Sequence, residues 1–192
     1  MKRDIILGRD ASRQDTQSLT LRLSKSSVDK LKKIATKKNM TTNALVSQIV
    51  DSFLEWEINA AEAGWVVMPK PFLIELFEKL DQDTVVNVIS QISKRLAKDI
   101  THYMKGKHDL QEWLSIIKGR AERSGFHLTE HQQNQSLVII MQHDMGENWS
   151  IYFKTFYENV FDDLRVKAEF DYTDKSLIIK LHDAPDRILY RK

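Results

Sequence analysis

No cysteine occurs among the 192 residues, which excludes disulfides and thiolate metal sites. Only 3 prolines and 6 glycines break the chain, too few for a low-complexity protein, and 42% hydrophobic residues suffice to fill a core. No apolar run approaches the ~18 residues that cross a bilayer. The opening MKRDIILGRD is too short and too charged to read as a signal peptide. Catalytic signatures are missing as well: there is no Gly-rich phosphate loop, no GxSxG and no HExxH. Pairs such as Asp162-Asp163 read as solvated faces. These absences lead us to expect a cytoplasmic protein of one or two domains, with no membrane partner, no cofactor and no enzymatic activity.

What is present is organised around residues 18–57. Leu19, Leu21 and Leu23 alternate with Ser18, Thr20, Arg22 and Ser24, the period of a half-buried strand. Ser26 then reads as a helix start, with Asp29 three positions on as a capping-box partner. Val28, Leu31, Ile34 and Ala35 form one apolar helical face, and Lys30, Lys32, Lys33, Lys37 and Lys38 cover the rest. A break at 38–40 leads to Thr41-Thr42, good helix starters. Leu45, Val46, Ile49, Val50, Phe53 and Leu54 mark a second amphipathic helix. One strand and two helices cannot bury three apolar faces alone, and a lone strand exposes its hydrogen-bonding edge. The simplest partner is a second copy.

The order strand, Lys-rich helix, Thr-Thr-Asn turn, longer apolar helix resembles the ribbon-helix-helix family of the Arc and MetJ repressors. Many members carry Gly in the turn between the helices, where this chain has Asn39, a residue that tolerates left-handed backbone. The resemblance implies an intertwined homodimer whose two strands pair into an antiparallel ribbon and enter the major groove of double-stranded DNA. It implies that Ser18, Thr20 and Arg22 face base edges while the leucines face the core. It also implies that the start of the second helix, at Thr41, Thr42 and Asn43, holds a phosphate, as a helix N-terminus is suited to do. Lys25 is expected to contact phosphate beside it. A plainer alternative is a helical hairpin behind an edge strand that serves only to dimerise.

Charge is unevenly placed. Residues 1–45 carry 11 Lys+Arg against 4 Asp+Glu, a net +7, and the rest carry 18 against 23, a net −5. A basic quarter on an acidic body suits phosphate-facing electrostatics. In residues 1–17, Lys2, Arg3, Arg9 and Arg13 either form an arm beside the ribbon or belong to a frayed tail, the simpler reading. Ile5-Ile6-Leu7 could dock on the protein's own body.

Beyond the second helix, EWEINAAEA carries no breaker before Gly64, so helix is expected to about Ala63, a stiffer connection than a Gly/Ser linker. A second domain, 65–192, then begins. Val66-Val67-Met68 suggests a short strand, followed by helices over 71–80, 83–104 and 109–123. The middle helix has Val85, Val88, Ile89, Ile92, Leu96, Ile100 and Tyr103 on its apolar stripe. The period then changes. Phe126 and Leu128 alternate, 132–135 turns, 136–142 is an apolar strand, and 149–164 is an aromatic-rich helix. Val166 to Tyr172 alternates, 174–175 turns, and Leu177, Ile179 and Leu181 close with a strand. The fold class is therefore α+β: a ribbon-helix-helix domain at 18–62, then helices and a ββαββ antiparallel sheet. QSLVIIMQHD and KSLIIKLHD share Ser-Leu, an Ile pair and a terminal His-Asp, the trace of an internal duplication.

His127 and His131 share a strand face, and His143-Asp144 and His182-Asp183 end the two apolar strands. If those ends met, they would resemble the metal sites of the nickel-responsive ribbon-helix-helix regulators. Histidine at a strand end is more often a turn residue, so no metal is assigned. The expected function is a sequence-specific transcription regulator, with homodimers that leave tetramers open and an unidentified effector. The second domain senses a ligand or oligomerises. The alternative is an antitoxin- or partition-like protein whose C-terminal half binds a partner protein.

Overall fold

The computed structural model describes residues 17–133 and 136–182, and the chain divides into two compact units at Ile49/Val50, inside a helix. In the first unit, residues 17–24 are exposed, form no helix or strand, and have no strand partner among the described residues. Helix α1, Lys25–Lys37, is capped by Ser24, whose hydroxyl accepts the Ser27 N–H at 3.1 Å. The helix therefore starts before Ser26, and Ser27 rather than Asp29 stands at the third position. In the run Ser-Lys-Ser-Ser, the first serine already has extended backbone (ψ 151°) and takes the cap.

The turn after α1 behaves as its composition suggests. Asn39 has φ 53°, its N–H donates to Thr36 O, and the Met40 N–H reaches back to Ala35 O at 3.0 Å. This is a Schellman closure with asparagine in the left-handed position usually given to glycine. Asn39→Ala is expected to lower stability by about 1 kcal/mol and Asn39→Gly to leave it level or higher, read by denaturant midpoint. Equal midpoints for all three proteins would show that the turn carries no such constraint. Helix α2, Thr42–Ser52, follows.

The α2 helix runs on through a π turn at Phe53–Glu57 and a last turn at Ile58–Ala60, closing at Gly64, a little short of Ala63 as a helical residue. The π turn shifts the helical phase and turns Trp56 inward. Its ring lies where a Cβ on Gly119 would stand only 2.8 Å away, so glycine is needed there for close packing.

In the second unit, residues 65–69 form neither helix nor strand, with Trp65 partly buried and 66–69 exposed, and the strand expected at Val66-Val67-Met68 is absent, with no strand paired to it among the described residues. Helix α3, Lys70–Glu78, starts on Pro69 and Pro71, where a missing N–H costs nothing. Helix α4, Gln82–Lys105, is capped by Asp81 and ends on Gly106. It buries Val85, Ile89, Ser93, Ala97, Ile100 and Met104, whereas Val88 and Tyr103, expected on its inner stripe, are about half exposed. Small residues, Ser93 and Ala97, set the true stripe, which a search for large apolar side chains passes over. Helix α5, Leu110–Ser124, is capped by Asp109.

Strands β1, His127–Gln133, and β2, Ser136–Gln142, form the first hairpin, helix α6, Glu147–Asp163, crosses, and β3, Ala168–Tyr172, and β4, Ser176–His182, form the second. β1 extends through Gln133, which pairs with Ser136, so Gln132 and Gln133, expected in a turn over 132–135, belong to the strand, and 134–135 lie outside the described residues. β3 starts at Ala168 rather than Val166, because Arg165, at φ 57°, closes α6 and the Val166 N–H is bound to Phe161 O. The sheet is wholly antiparallel in the order β1-β2-β4-β3. Leu137, Ile139, Met141, Leu177, Ile179 and Leu181 face one side and bury against Phe153, Phe156, Tyr157 and Phe161 of α6. Helix α4 packs along α6.

The internal duplication has a geometric counterpart. Leu137 pairs with Leu181, Met141 with Leu177 and Ile139 with Ile179, a register symmetric about the Ile139–Ile179 pair. The same offset carries β1 onto β3, since Leu128 faces Met141 as Ala168 faces Leu181. The shared His-Asp does not follow it: Gln142, not His143, occupies the position equivalent to His182.

Candidate nucleic-acid interface

Ser18, Thr20 and Arg22 alternate along residues 17–24, and all are exposed, as is Lys25 at the first turn of α1. The intervening Leu19, Leu21 and Leu23 are exposed too, at 80%, 51% and 49%. Ile34 and Ile49 are nearly half exposed, and only Ala35 and Leu45 are buried among the described residues of this unit. A three-element unit with two buried side chains, one of them alanine, falls far short of the burial that offsets chain ordering. The apolar faces read from the sequence are present and lack their cover among the described residues.

At the start of α2, the Thr41 hydroxyl accepts the Ala44 N–H at 3.1 Å and the Thr41 carbonyl accepts the Leu45 N–H at 3.0 Å. That satisfies the inner donors and leaves the N–H groups of Thr42 and Asn43 at the positive end of the helix dipole, directed outward. Asn43 and Thr41 are exposed, Thr42 half-buried. Arg22 and the six lysines of residues 25–38 take part in none of the ion pairs among the described residues. A cationic face of this kind, beside a helix N-terminus, can bind a phosphate backbone.

The second unit holds polar clusters of its own. The ends of β2 and β4 do not meet, because the strands are antiparallel: Ser136 lies opposite His182, and Gln142 opposite Ser176. His182 bonds instead to Glu169 at 2.8 Å, and this contact together with Lys180 holds the Glu169 carboxyl below its usual range. Asp183 lies outside the described residues. His127 and His131 share a face of β1, and no group of three metal-ligating side chains gathers there or elsewhere among the described residues. His143 is fully buried, and the Lys70 ammonium donates to its carbonyl at 2.6 Å.

Asp163, expected to be a solvated carboxylate, accepts from His108 at 3.2 Å and pairs with Lys98 at 3.4 Å. Partial desolvation pushes its carboxyl up, but Lys98 and His108 together outweigh it and hold it below the usual value. His108 in turn meets the Thr101 hydroxyl at 2.8 Å. That hydroxyl–imidazole–carboxylate chain ties α4 and α6 to the loop before α5. Thr101 has no exposed surface, so no substrate reaches it in this conformation.

Two features escaped the sequence reading. A groove of about 320 Å³ runs between the π turn and α5, lined among others by Trp56, Lys105, Gln111, Ser115 and Gly119. Arg123 closes one side, donating to Ser52 O at 2.9 Å and to Glu57 at 3.2 Å while lying over Trp56. The second feature is Arg120, 9% exposed, whose guanidinium stacks on Phe153 (4.6 Å), Trp65 (5.0 Å) and Tyr152 (5.4 Å). The signal for it lay in the spacing: Arg120 continues the apolar stripe of Trp113, Ile116 and Ile117 on α5, a charge where the pattern demands a hydrophobe. Compared with known proteins, the chain matches no family model and no curated protein.

Proposed function

We propose that the protein is a dimeric, sequence-specific DNA-binding transcription regulator, with residues 18–57 acting as a ribbon-helix-helix unit. The observation that carries this reading is the uncovered leucine row. Leu19, Leu21 and Leu23 are exposed in the single chain, as are Ser18, Thr20 and Arg22, with which they alternate in sequence. Pairing with the same segment of a second copy satisfies the strand edge and covers the leucines in one step. It leaves Thr20 and Arg22, with Ser18 at the rim, free to read base edges.

Within this proposal Arg22 holds a guanine through two hydrogen bonds, and Lys25 with the Thr41–Asn43 helix start fixes the ribbon on phosphates. The second unit, with a closed core of its own, serves as the sensing or assembling half. That folded core favours a regulator over an antitoxin-like protein, whose partner-binding tail is typically disordered before binding.

The test is fluorescence-anisotropy binding to a DNA fragment from upstream of the protein's own gene, at two salt concentrations. Wild type is expected to bind tightly and to weaken with salt. Arg22→Ala is expected to lose about 1–3 kcal/mol at the specific site while keeping the dimer. Unchanged specific affinity in Arg22→Ala would remove Arg22 from the reading head.

A further inference from the structure

Arg120 is a buried cation with no anionic partner among the described residues. Its terminal NH2 donates to the Tyr152 hydroxyl at 3.0 Å, and the Tyr157 hydroxyl is its other polar neighbour. Both partners are neutral phenols, and none of the ion pairs among the described residues involves Arg120. Phe153, Trp65 and Tyr152 offer only ring faces. A buried charge normally has a counter-charge, because taking a lone ion out of water costs far more than ring faces return.

The neighbours repeat the imbalance. Trp65 Nε1, on the ring stacked over the guanidinium, is buried without an acceptor. So is Trp149 Nε1, on a ring 5.0 Å from that of Tyr152. Two indole donors and a guanidinium thus collect in one aromatic cluster that, among the described residues, supplies ring faces and phenols but no anionic acceptor. We infer that this cluster is the binding site for a small carboxylate with an apolar or aromatic body. A carboxylate matches the guanidinium fork through two parallel hydrogen bonds and offers lone pairs to an indole N–H. An apolar body suits the surroundings, where Phe77 and Trp65 pack against the core that holds Phe153 and Trp149.

Entry lies on the Trp65 side. Trp65 is only partly buried, follows Gly64 at φ 82°, and opens the segment 65–69. Swinging its ring outward uncovers the guanidinium without disturbing the sheet. The inference deepens the sensing half of the proposed function, giving its unidentified effector a chemical class.

The experiment is calorimetric titration of the full-length protein with sodium benzoate, against sodium chloride at equal ionic strength. Wild type is expected to bind one benzoate per chain, saturably, with no response to chloride. Arg120→Lys, which keeps the charge but loses the fork, should weaken binding about tenfold or more. Should that variant fail to fold, Trp65→Phe carries the test, since it removes the indole N–H, with part of a partly exposed ring, while leaving Arg120 in place, and should weaken binding severalfold. Absence of saturable benzoate binding overturns the inference, as does binding that Trp65→Phe leaves unchanged. DNA affinity is measured separately without benzoate. Its loss would sink the regulator reading and leave the carboxylate site standing, and the reverse result would do the opposite.

Discussion

Full-length Leu21→Asp is expected to be monomeric by light scattering, to bind no operator DNA, and to keep the circular dichroism of its second unit. In the proposed ribbon Leu21 lies at the middle of the paired strands and faces its own copy across the dimer axis. A carboxylate there would be buried beside a second carboxylate, with no cation on the leucine row to pair with either. Desolvation alone costs several kcal/mol per ion, and the repulsion of two like charges adds to it. The first unit has no reserve against such a loss, since one chain buries only Ala35 and Leu45 among its described residues. Leu21→Met, which conserves volume, should cost less than about 1.5 kcal/mol and keep both dimer and DNA binding. A folded Leu21→Asp dimer would mean that the strand faces are reversed and that Ser18, Thr20 and Arg22 point inward.

The physical logic of that prediction also explains which parts of the molecule were legible. Elements whose identity rests on local rules could be read directly. β2 shows it best, an unbroken apolar run over Ser136–Gln142 buried at the centre of the sheet. Asn39 in the left-handed position and the prolines at the start of α3 follow from backbone sterics of single residues. The misreadings came where a long-range neighbour decides. Val66-Val67-Met68 has β-branched composition but no strand to pair with among the described residues, and composition cannot supply one. Val88 and Tyr103 fit a helical stripe, yet α4 turns Ser93 and Ala97 toward its neighbours instead.

The same division applies to the candidate sites. Alternation along residues 18–24 gives the expectation of opposite faces for the leucines and for Ser18, Thr20 and Arg22, whereas in the single chain all of them are exposed and the segment forms no strand. The His-Asp ends of β2 and β4, by contrast, look alike in sequence and lie at opposite ends of an antiparallel pair. Arg120 shows a third case. Its place on an apolar stripe was visible, but its lack of a carboxylate partner among the described residues depends on all the elements around it. Only the assembled core of α5, α6 and the segment before α3 could reveal it.

Acidification is expected to destabilise the second unit through His143, between pH 6.5 and about 4. The imidazole is fully buried at the end of β2 and works as a neutral two-way connector. Its Nδ1 accepts the Met145 N–H at 3.1 Å, so the proton sits on Nε2, which donates to the Ser150 hydroxyl at 2.9 Å. Ser150 passes its own proton to Thr173 O, joining α6 to the β3–β4 turn. Adding a proton to Nδ1 would set two N–H groups against each other. Burial is the main force that holds the imidazole pKa down to about 4, and the nearby Lys70 charge adds to it.

The sign follows from proton counting. The unfolded chain takes up a proton near pH 6.5, the folded protein only near 4, so stability is full above 6.5 and falls steadily as the pH drops through that window. A shift of this size corresponds to about 3 kcal/mol at its limit. Chemical denaturation of the second unit's transition at pH 7.5 and pH 4.5, for wild type and His143→Gln, measures it. Glutamine retains one acceptor and one donor but cannot titrate. The variant should start less stable and lose much less between the two pH values. An equal loss in both proteins would place the acid sensitivity of this window elsewhere, and not at Asp163 or Glu169, whose lowered carboxyls give up their stabilising contacts only at lower pH.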